Sequence, residues 1–441
     1  MKVIMRFRYF YCIIALCIGV QCCSQKIEVP PYYKSHLQNK IAEINHNDTT
    51  RAAFVFITDT HTKDNTLHSP ALIREILRQT RIDKVIWGGD AISGHGDNID
   101  EQWNNHSIFD IAINSFGRLY KVRGNHDFSI KVKKGSDIGK TYSQTQTAKW
   151  LLEHHPKGIT INKQDPGGCY YYFDEKKEKI RYIILDATDS VQAGDIPWGA
   201  ITGIRSKQLN WIANTAIASI QFGYDVIFVS HIPLVGLSGK PNSALSNATQ
   251  LIDALNLKKS GVIDGVAFDF SKLKNVKILM CLSGHVHYDS QIYRNGVLYV
   301  TTASDAAYNN YFISDPFVKS ESERKEGTVN EQCFDCFVIS KSNSIINAHR
   351  IGAGGDRMFH CQPILMTKGS ELHLRTIMSK QNKFSCYNAT GNTSKKKKWT
   401  LVSDIVQISE NGNLIACKKG EAVVVSVDEE GNKEFFDIIV K

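Results

Sequence analysis

Five short stretches of the chain carry side chains able to hold cations and move protons: Asp59-Thr60-His61, Gly89-Asp90, Gly124-Asn125-His126-Asp127, Ser230-His231 and Gly284-His285-Val286-His287. Carboxylates, neutral imidazoles and an amide oxygen form a donor set suited to divalent cations. Two such ions about 3.5–4 Å apart would neutralise the oxygens of a phosphate ester and generate hydroxide between them. That chemistry answers the central difficulty of such an ester, which is already negative and repels nucleophiles. Each stretch alone is commonplace, because Asp-x-His and Gly-Asp arise often by chance. Five in order, each closing a strand-like run, are not.

A rigid site needs rigid supports, and the sequence supplies them. Ala53–Ile57, Lys84–Trp87, Leu119–Arg123, Asp225–Val229 and Val276–Leu282 are short apolar runs without strict alternation, as expected of strands buried on both faces. Each runs directly into one of the five stretches. Between them lie helical patterns: one opened by Ser69-Pro70-Ala71 with Leu72, Ile73, Ile76 and Leu77 on its apolar face, another over Ser206–Ile217. Tyr170–Phe173, a charged turn and Arg181–Leu185 predict a β-hairpin. Tyr33–Ile44 predicts a helix ahead of the first strand. Strand–helix alternation predicts an α/β sandwich.

With these motifs the chain resembles the calcineurin-like metallophosphoesterase superfamily over roughly residues 52 to 356. The resemblance implies a four-layer α/β/β/α sandwich and a phosphomonoester or phosphodiester as substrate. By position, Asp59, His61 and His287 would hold one metal and Asn125, His231 and His285 a second, with Asp90 bridging. A hydroxide between the metals would attack phosphorus. His126 would protonate the leaving oxygen as general acid, with Asp127 orienting its imidazole. Purple acid phosphatases, a related group, carry a Tyr ligand for ferric iron shortly after the second motif. Here Asp90 is followed by Ala91-Ile92-Ser93, so Mn, Zn or ferrous Fe is expected. His68, Trp103, Trp198 and Tyr308–Tyr311 are candidates to line a substrate pocket, His68, Trp198 and Tyr308 foremost.

The remaining segments set the context. Met1–Arg8 carries only positive charge, and Tyr9–Val20 is an apolar run short for a membrane span. Residues 1–23 therefore predict a signal peptide, and Gln21-Cys22-Cys23-Ser24 at its end resembles a bacterial lipoprotein cleavage site, which implies lipid on Cys23 (or Cys22) and an enzyme exported to a periplasm or cell surface and anchored to a membrane; a plain secretory signal is the other reading. Residues 24–50 predict a linker and short helix, 51–357 the catalytic domain, and 361–441 a small all-β sandwich. Trp399–Val427 resembles bacterial Ig-like modules. The chain has 441 residues and a net charge of +9, about +6 without Lys2, Arg6 and Arg8. That mild bias identifies no partner, and no base-stacking module for nucleic acid is evident. Of 11 cysteines, seven lie beyond the leader, too scattered for a disulfide scaffold. Cys333-x-x-Cys336 lacks a second pair of matching spacing, and Cys386 and Cys417 could pair. The alternative is a surface binding or adhesion protein with a vestigial metal site.

Overall fold

Ala52–Ile57 (β1) shows how the layers arise. Successive side chains on a strand point to opposite faces. Phe54 and Phe56 enter one hydrophobic cluster, while Val55 and Ile57 enter another. A strand covered on both sides must be apolar throughout, as this one is. The computed structural model describes residues 27–46, 52–61, 68–93, 99–127, 143–189, 203–236, 239–306, 312–313, 322–377, 383–388 and 403–441.

In chain order the main elements are α1 (Lys34–His46), β1, α2 (His68–Gln79), β2 (Lys84–Trp87), α3 (Ile99–Asn114), β3 (Arg118–Lys121), α4 (Gln144–Leu152), β4 (Thr160–Ile161), β5 (Tyr171–Glu175) and β6 (Ile180–Leu185). Then come α5 (Ser206–Trp211), β7 (Asp225–Ser230), α6 (Ser246–Asn256), β8 (Ile278–Ser283), β9 (Ser290–Arg294) and β10 (Val297–Thr301). The chain ends in β11 (Cys333–Ser340), β12 (Ile345–Gly352), β13 (Arg357–His360), β14 (Ile364–Met366), β15 (Lys383–Asn388), β16 (Gly420–Val427) and β17 (Lys433–Val440).

Two sheets face each other. The seven-stranded sheet runs β9-β10-β8-β7-β6-β5-β4. The ten-stranded sheet runs β15-β16-β17-β13-β12-β11-β1-β2-β3, with β14 beside β17. Phe54, Phe56 and Ile86 meet Tyr182, Ile184, Ile227, Val229 and Met280 between them. Outside the larger sheet, α1, α2 and α3 supply Leu37, Ile41, Leu72, Ile73, Ile76, Phe109 and Ile113. Outside the smaller, α5 and α6 supply Leu209, Trp211, Leu251, Ile252 and Leu255. The order is therefore α/β/β/α. Each buried Ile, Leu or Phe contributes about 1.5–3 kcal/mol, so both sheets are held firmly where the chemistry needs rigidity.

Strand direction then gathers the five motifs. β1, β2 and β3 are parallel to one another, and so are β6, β7 and β8. The carboxyl ends of parallel strands lie along one edge, the usual place for a site in an α/β protein.

The C-terminal residues are all-β, and they continue the larger sheet. β13 pairs parallel with β17, Arg357 opposite Lys433 and Phe359 opposite Phe435. Phe359, Val423, Val425 and Phe435 share a cluster with Phe54 and Phe337 of the catalytic core. On the other face, Val424, Phe436 and Ile438 pack with Leu374, Val406 and Leu414 in a smaller cluster. The glycine-rich stretch after Ile351 is the turn between β12 and β13, where Gly352 and Gly354 adopt φ of 95° and 99°. The Ser206–Ile217 helix is α-helical to Trp211 and continues as a π-helical stretch over Ile212–Ile217. Cys333 and Cys336 are both free; three residues apart on β11, they face opposite sides of the sheet and form no pair. Cys386 and Cys417 are also free. The leader with Cys23 lies outside the described residues, among which no helix is long and apolar enough to cross a membrane.

Candidate metal centre

The seven residues expected to act together do converge. Asp59 and His61 follow β1, Asp90 follows β2, Asn125 and His126 follow β3, His231 follows β7, and His285 and His287 follow β8. Asp59, Asp90 and His231 are essentially inaccessible to solvent. Each carboxylate has one satisfied oxygen and one that is not. Asp59 Oδ2 accepts from the Thr58 hydroxyl at 2.7 Å and the His285 amide at 2.9 Å. Asp90 Oδ1 accepts from the His126 amide at 2.8 Å. The other oxygens, Asp59 Oδ1 and Asp90 Oδ2, are buried with no hydrogen-bond donor apart from the imidazoles that face them. Burying such an atom alone costs about 1–3 kcal/mol or more.

Ring nitrogens surround these two oxygens. His287 Nε2 is 3.2 Å and His61 Nε2 3.9 Å from Asp59 Oδ1. His231 Nε2 is 3.2 Å and His126 Nε2 3.8 Å from Asp90 Oδ2. Asn125 Oδ1 is 3.1 Å from His231 Nε2 and 2.8 Å from His285 Nδ1. His61 Nδ1 donates to the Ile92 carbonyl at 3.3 Å, and His231 Nδ1 to the Gly88 carbonyl at 2.8 Å. Those bonds fix the tautomers with Nε2 toward the centre. His61 Nε2 and His287 Nε2 are only 3.1 Å apart, close enough to share a proton or to bind one cation together.

The charge balance points the same way. Burial opposes ionisation of Asp59 and Asp90, yet the surrounding imidazoles hold both below the usual carboxylate range. Burial drives His61 and His285 down to about 4, so they are neutral, lone-pair donors. At His231 burial acts downward too, but Asp90 outweighs it and pushes the imidazolium up to about 10; at His287 burial again acts downward and Asp59 outweighs it, in the upward direction. Without a cation, protons neutralise the two carboxylates, and cations binding here would displace them.

The backbone is bent to make this cluster. Asp59, His61, Asp90, His285 and His287 all have positive φ, between 49° and 72°. Such conformations cost about 1–3 kcal/mol each for non-glycine residues and concentrate at functional sites. The glycines of the motifs make room. A Cβ on Gly124 would lie 2.1 Å from Asp90 Oδ1, and one on Gly284 2.1 Å from Thr58 Oγ1 and 2.5 Å from Asp59 Oδ2. Orphaned oxygens, converging imidazoles and a strained backbone together fit a pair of divalent cations.

Asp127 stands elsewhere than the resemblance implies. Its carboxylate accepts from the amides of Gly124 at 2.7 Å, Ala91 at 2.8 Å and Asp90 at 3.2 Å. It clamps two motif loops together, and His126 Nδ1 instead lies 2.5 Å from the Ser93 carbonyl. His68, at the head of α2, is outside the cluster of seven. Its Nδ1 is 2.7 Å from Glu331, whose carboxylate also takes the Tyr32 hydroxyl. Trp103 packs against His106 and Trp150 in the α3–α4 region. Trp198 and Tyr308 lie outside the described residues.

Sequence reasoning missed a second group of charges behind the centre. Asp289, two residues after His287, is buried with Asp335, Arg350 and Arg357. Only its nearness to His287 in the chain could have drawn notice.

This fold and this site define a metal-dependent phosphoesterase. The chain belongs to the calcineurin-like phosphoesterase family, whose sequence profile matches residues 52–289. No curated protein matches it. Among solved structures it is similar to a dimetal phosphatase from Danio rerio, at 15% identity and a TM-score of 0.44 over 70% of this chain and 99% of that one. It is also similar to PhoD, at 13% identity and a TM-score of 0.42 over 72% and 71%. A phosphopantetheinyl hydrolase from Mycobacterium tuberculosis shares 13% identity, with a TM-score of 0.31 over 58% and 90%.

Proposed function

We propose that the chain hydrolyses a phosphomonoester or phosphodiester at a centre in which Asp59, His61 and His287 hold one divalent cation, Asn125, His231 and His285 a second, and Asp90 both. The observation that carries this reading is the pair of buried oxygens, Asp59 Oδ1 and Asp90 Oδ2, met by ring nitrogens from four loops and by no backbone or hydroxyl donor. Two bound ions, of Mn, Zn or Fe, would polarise the phosphoryl oxygens and acidify the attacking water.

The chain's own residues do the rest. Strand ends fix the donor atoms before substrate arrives, so little reorganisation is needed at reaction. His126 hands a proton to the leaving oxygen. The Ser93 carbonyl takes Nδ1–H, so the imidazolium's other proton sits on Nε2, the atom facing Asp90. We assign His68 to substrate contact as well: Glu331 holds its Nδ1 at 2.7 Å, which leaves Nε2 of this half-exposed ring to meet the ester.

The reaction takes place outside the cytoplasm, with the chain tethered through lipid on Cys23 and the C-terminal β part acting as an Ig-like module. Labelling by palmitate that is lost in Cys23→Ser tests the tether. The activity test is turnover of p-nitrophenyl phosphate and its bis ester with Mn, Zn, Fe, Co or Ni. Metal-dependent hydrolysis that disappears in Asp90→Asn is expected. Saturating metal without hydrolysis of any ester in a broad panel would instead support a surface binding protein with a vestigial site.

A further inference from the structure

Behind the centre lies a set of four buried charges, drawn from strands on both sheets. Asp289 at the head of β9 receives Arg350 Nη2 at 2.8 and 3.0 Å on its two oxygens, and Arg357 Nη1 is 3.3 Å away. Asp335 receives Arg350 Nε at 2.8 Å and Arg357 Nη2 at 2.7 Å. All four side chains are at least nine-tenths buried. Ion pairs in this position are costly to desolvate, and apolar side chains of similar volume would often stabilise the fold as well or better. The arrangement therefore calls for a reason other than stability.

Its contacts supply one. Asp289 Oδ1 accepts from the Ala303 amide at 3.1 Å, and Arg357 Nη1 donates to the Thr301 carbonyl at 3.1 Å. The chain leaving that point reaches the first motif: Ser304 Oγ donates to the Asp59 carbonyl at 2.8 Å, and the Ala306 amide to the same carbonyl at 3.1 Å. Asp289 itself is two residues from His287. The four charges thus hold both loops that carry Asp59 and His287. Arg350 and Arg357 belong to β12 and β13, beyond the residues matched by the family, and β13 is the strand on which β17 of the C-terminal part pairs.

We propose that Arg350 and Arg357 are positioning residues for the metal centre: locked by Asp335, they clamp Asp289 and so set the turn that aims His287 and Asp59 at one cation. The larger sheet's C-terminal extension is then part of the catalytic scaffold. This rests on the metal-centre reading.

The experiment compares full-length wild type with Arg350→Met, Arg357→Met and the conservative Arg350→Lys, each checked for folding by circular dichroism. Cobalt(II) or manganese(II) is titrated by calorimetry, with the cobalt absorption spectrum recorded. Wild type should take up two ions. The Met variants should bind one ion about 10–100-fold more weakly, the usual effect of losing support behind a ligand, with an altered cobalt spectrum and the other ion unaffected. Arg350→Lys should recover part of the loss. If the Met variants do not fold, Asp289→Asn keeps an acceptor for Ala303 while losing the charge, and the same selective weakening is expected of it. Two ions bound with unchanged affinity and spectrum in folded variants would overturn the clamp alone. A wild type that binds no ion would overturn the metal centre and the clamp together.

Discussion

Asp127 Oδ1 accepts a hydrogen bond from the Ala91 amide at 2.8 Å, tying the loop after β3 to the loop after β2. Asp90 immediately precedes Ala91 in the chain, so this bond helps set the carboxylate assigned to both cations.

Asp127 therefore acts through the backbone, and Asp127→Asn tests it. The amide keeps one acceptor oxygen and must turn a donor toward amides that are themselves donors. The expected result is a loss of about 1–3 kcal/mol of stability and weaker metal binding, measured by urea unfolding and calorimetry. Turnover at matched metal occupancy should stay close to wild type. A loss of about 10²-fold or more at full occupancy, the size expected for lost general acid catalysis, would show that Asp127 governs the imidazole after all.

Gly284→Ala tests the close approach at the first motif. The added methyl would sit 2.1 Å from Thr58 Oγ1 and 2.5 Å from Asp59 Oδ2. Thr58 and Asp59 are buried in a rigid strand end, so the clash cannot be relieved by rotating a flexible tip. A cost of about 1–3 kcal/mol is expected, together with at least tenfold weaker binding of one cation. Wild-type affinity in the variant would mean that the loop after β8 moves more freely than its hydrogen bonds imply.

The part of this site that was legible in the sequence was the part built from neighbours in the chain. β1 and β7 are apolar on both faces because both are covered, and so they stand out as runs ending in His- or Asp-bearing turns. Asp59, Asp90 and His231 could be read because each closes such a run. The role of Asp127 was misjudged because a carboxylate next to a histidine in sequence need not point at it; a bend of the chain turns the two side chains apart. Asp335, Arg350 and Arg357 were invisible for another reason. Asp335 and Arg350 are single charges inside strands and Arg357 opens β13 next to Asp356, and only the pairing of β11, β12 and β13 sets them together. The continuity of the sheet into β17 was hidden likewise, since it depends on a parallel pairing between segments far apart in sequence.

The C-terminal strands carry a titration of their own. Asp437 is buried on β17 beside Glu421 of β16, and neither oxygen of Asp437 has a hydrogen-bond donor. Burial, then the neighbouring carboxyl, pushes Asp437 up to about 8 and raises Glu421 as well. A carboxyl raised on folding stabilises the fold below its unfolded value near 4 and loses that contribution as pH rises through the folded value. Asp437→Asn removes the titration. Its urea midpoint should move upward relative to wild type between pH 5 and pH 9, and a constant difference across that window would refute the assignment.

His126 separates metal binding from proton transfer, and the leaving group tells the two apart. Its ring is near the centre, with Nε2 3.8 Å from Asp90 Oδ2, but its amide rather than its ring holds Asp90 Oδ1. His126→Ala keeps that amide, so two cations should still bind with affinities close to wild type. General acid catalysis contributes about 10²–10⁴-fold where the leaving oxygen needs a proton. An alkyl phosphate leaves as a strongly basic alkoxide and should lose activity by that order. A p-nitrophenyl ester leaves as a stabilised phenolate and should be hurt far less. The measurement is kcat for both esters in wild type and variant at matched metal occupancy. Equal losses on the two esters would place His126 in substrate binding, and loss of a cation from the variant would make it a ligand.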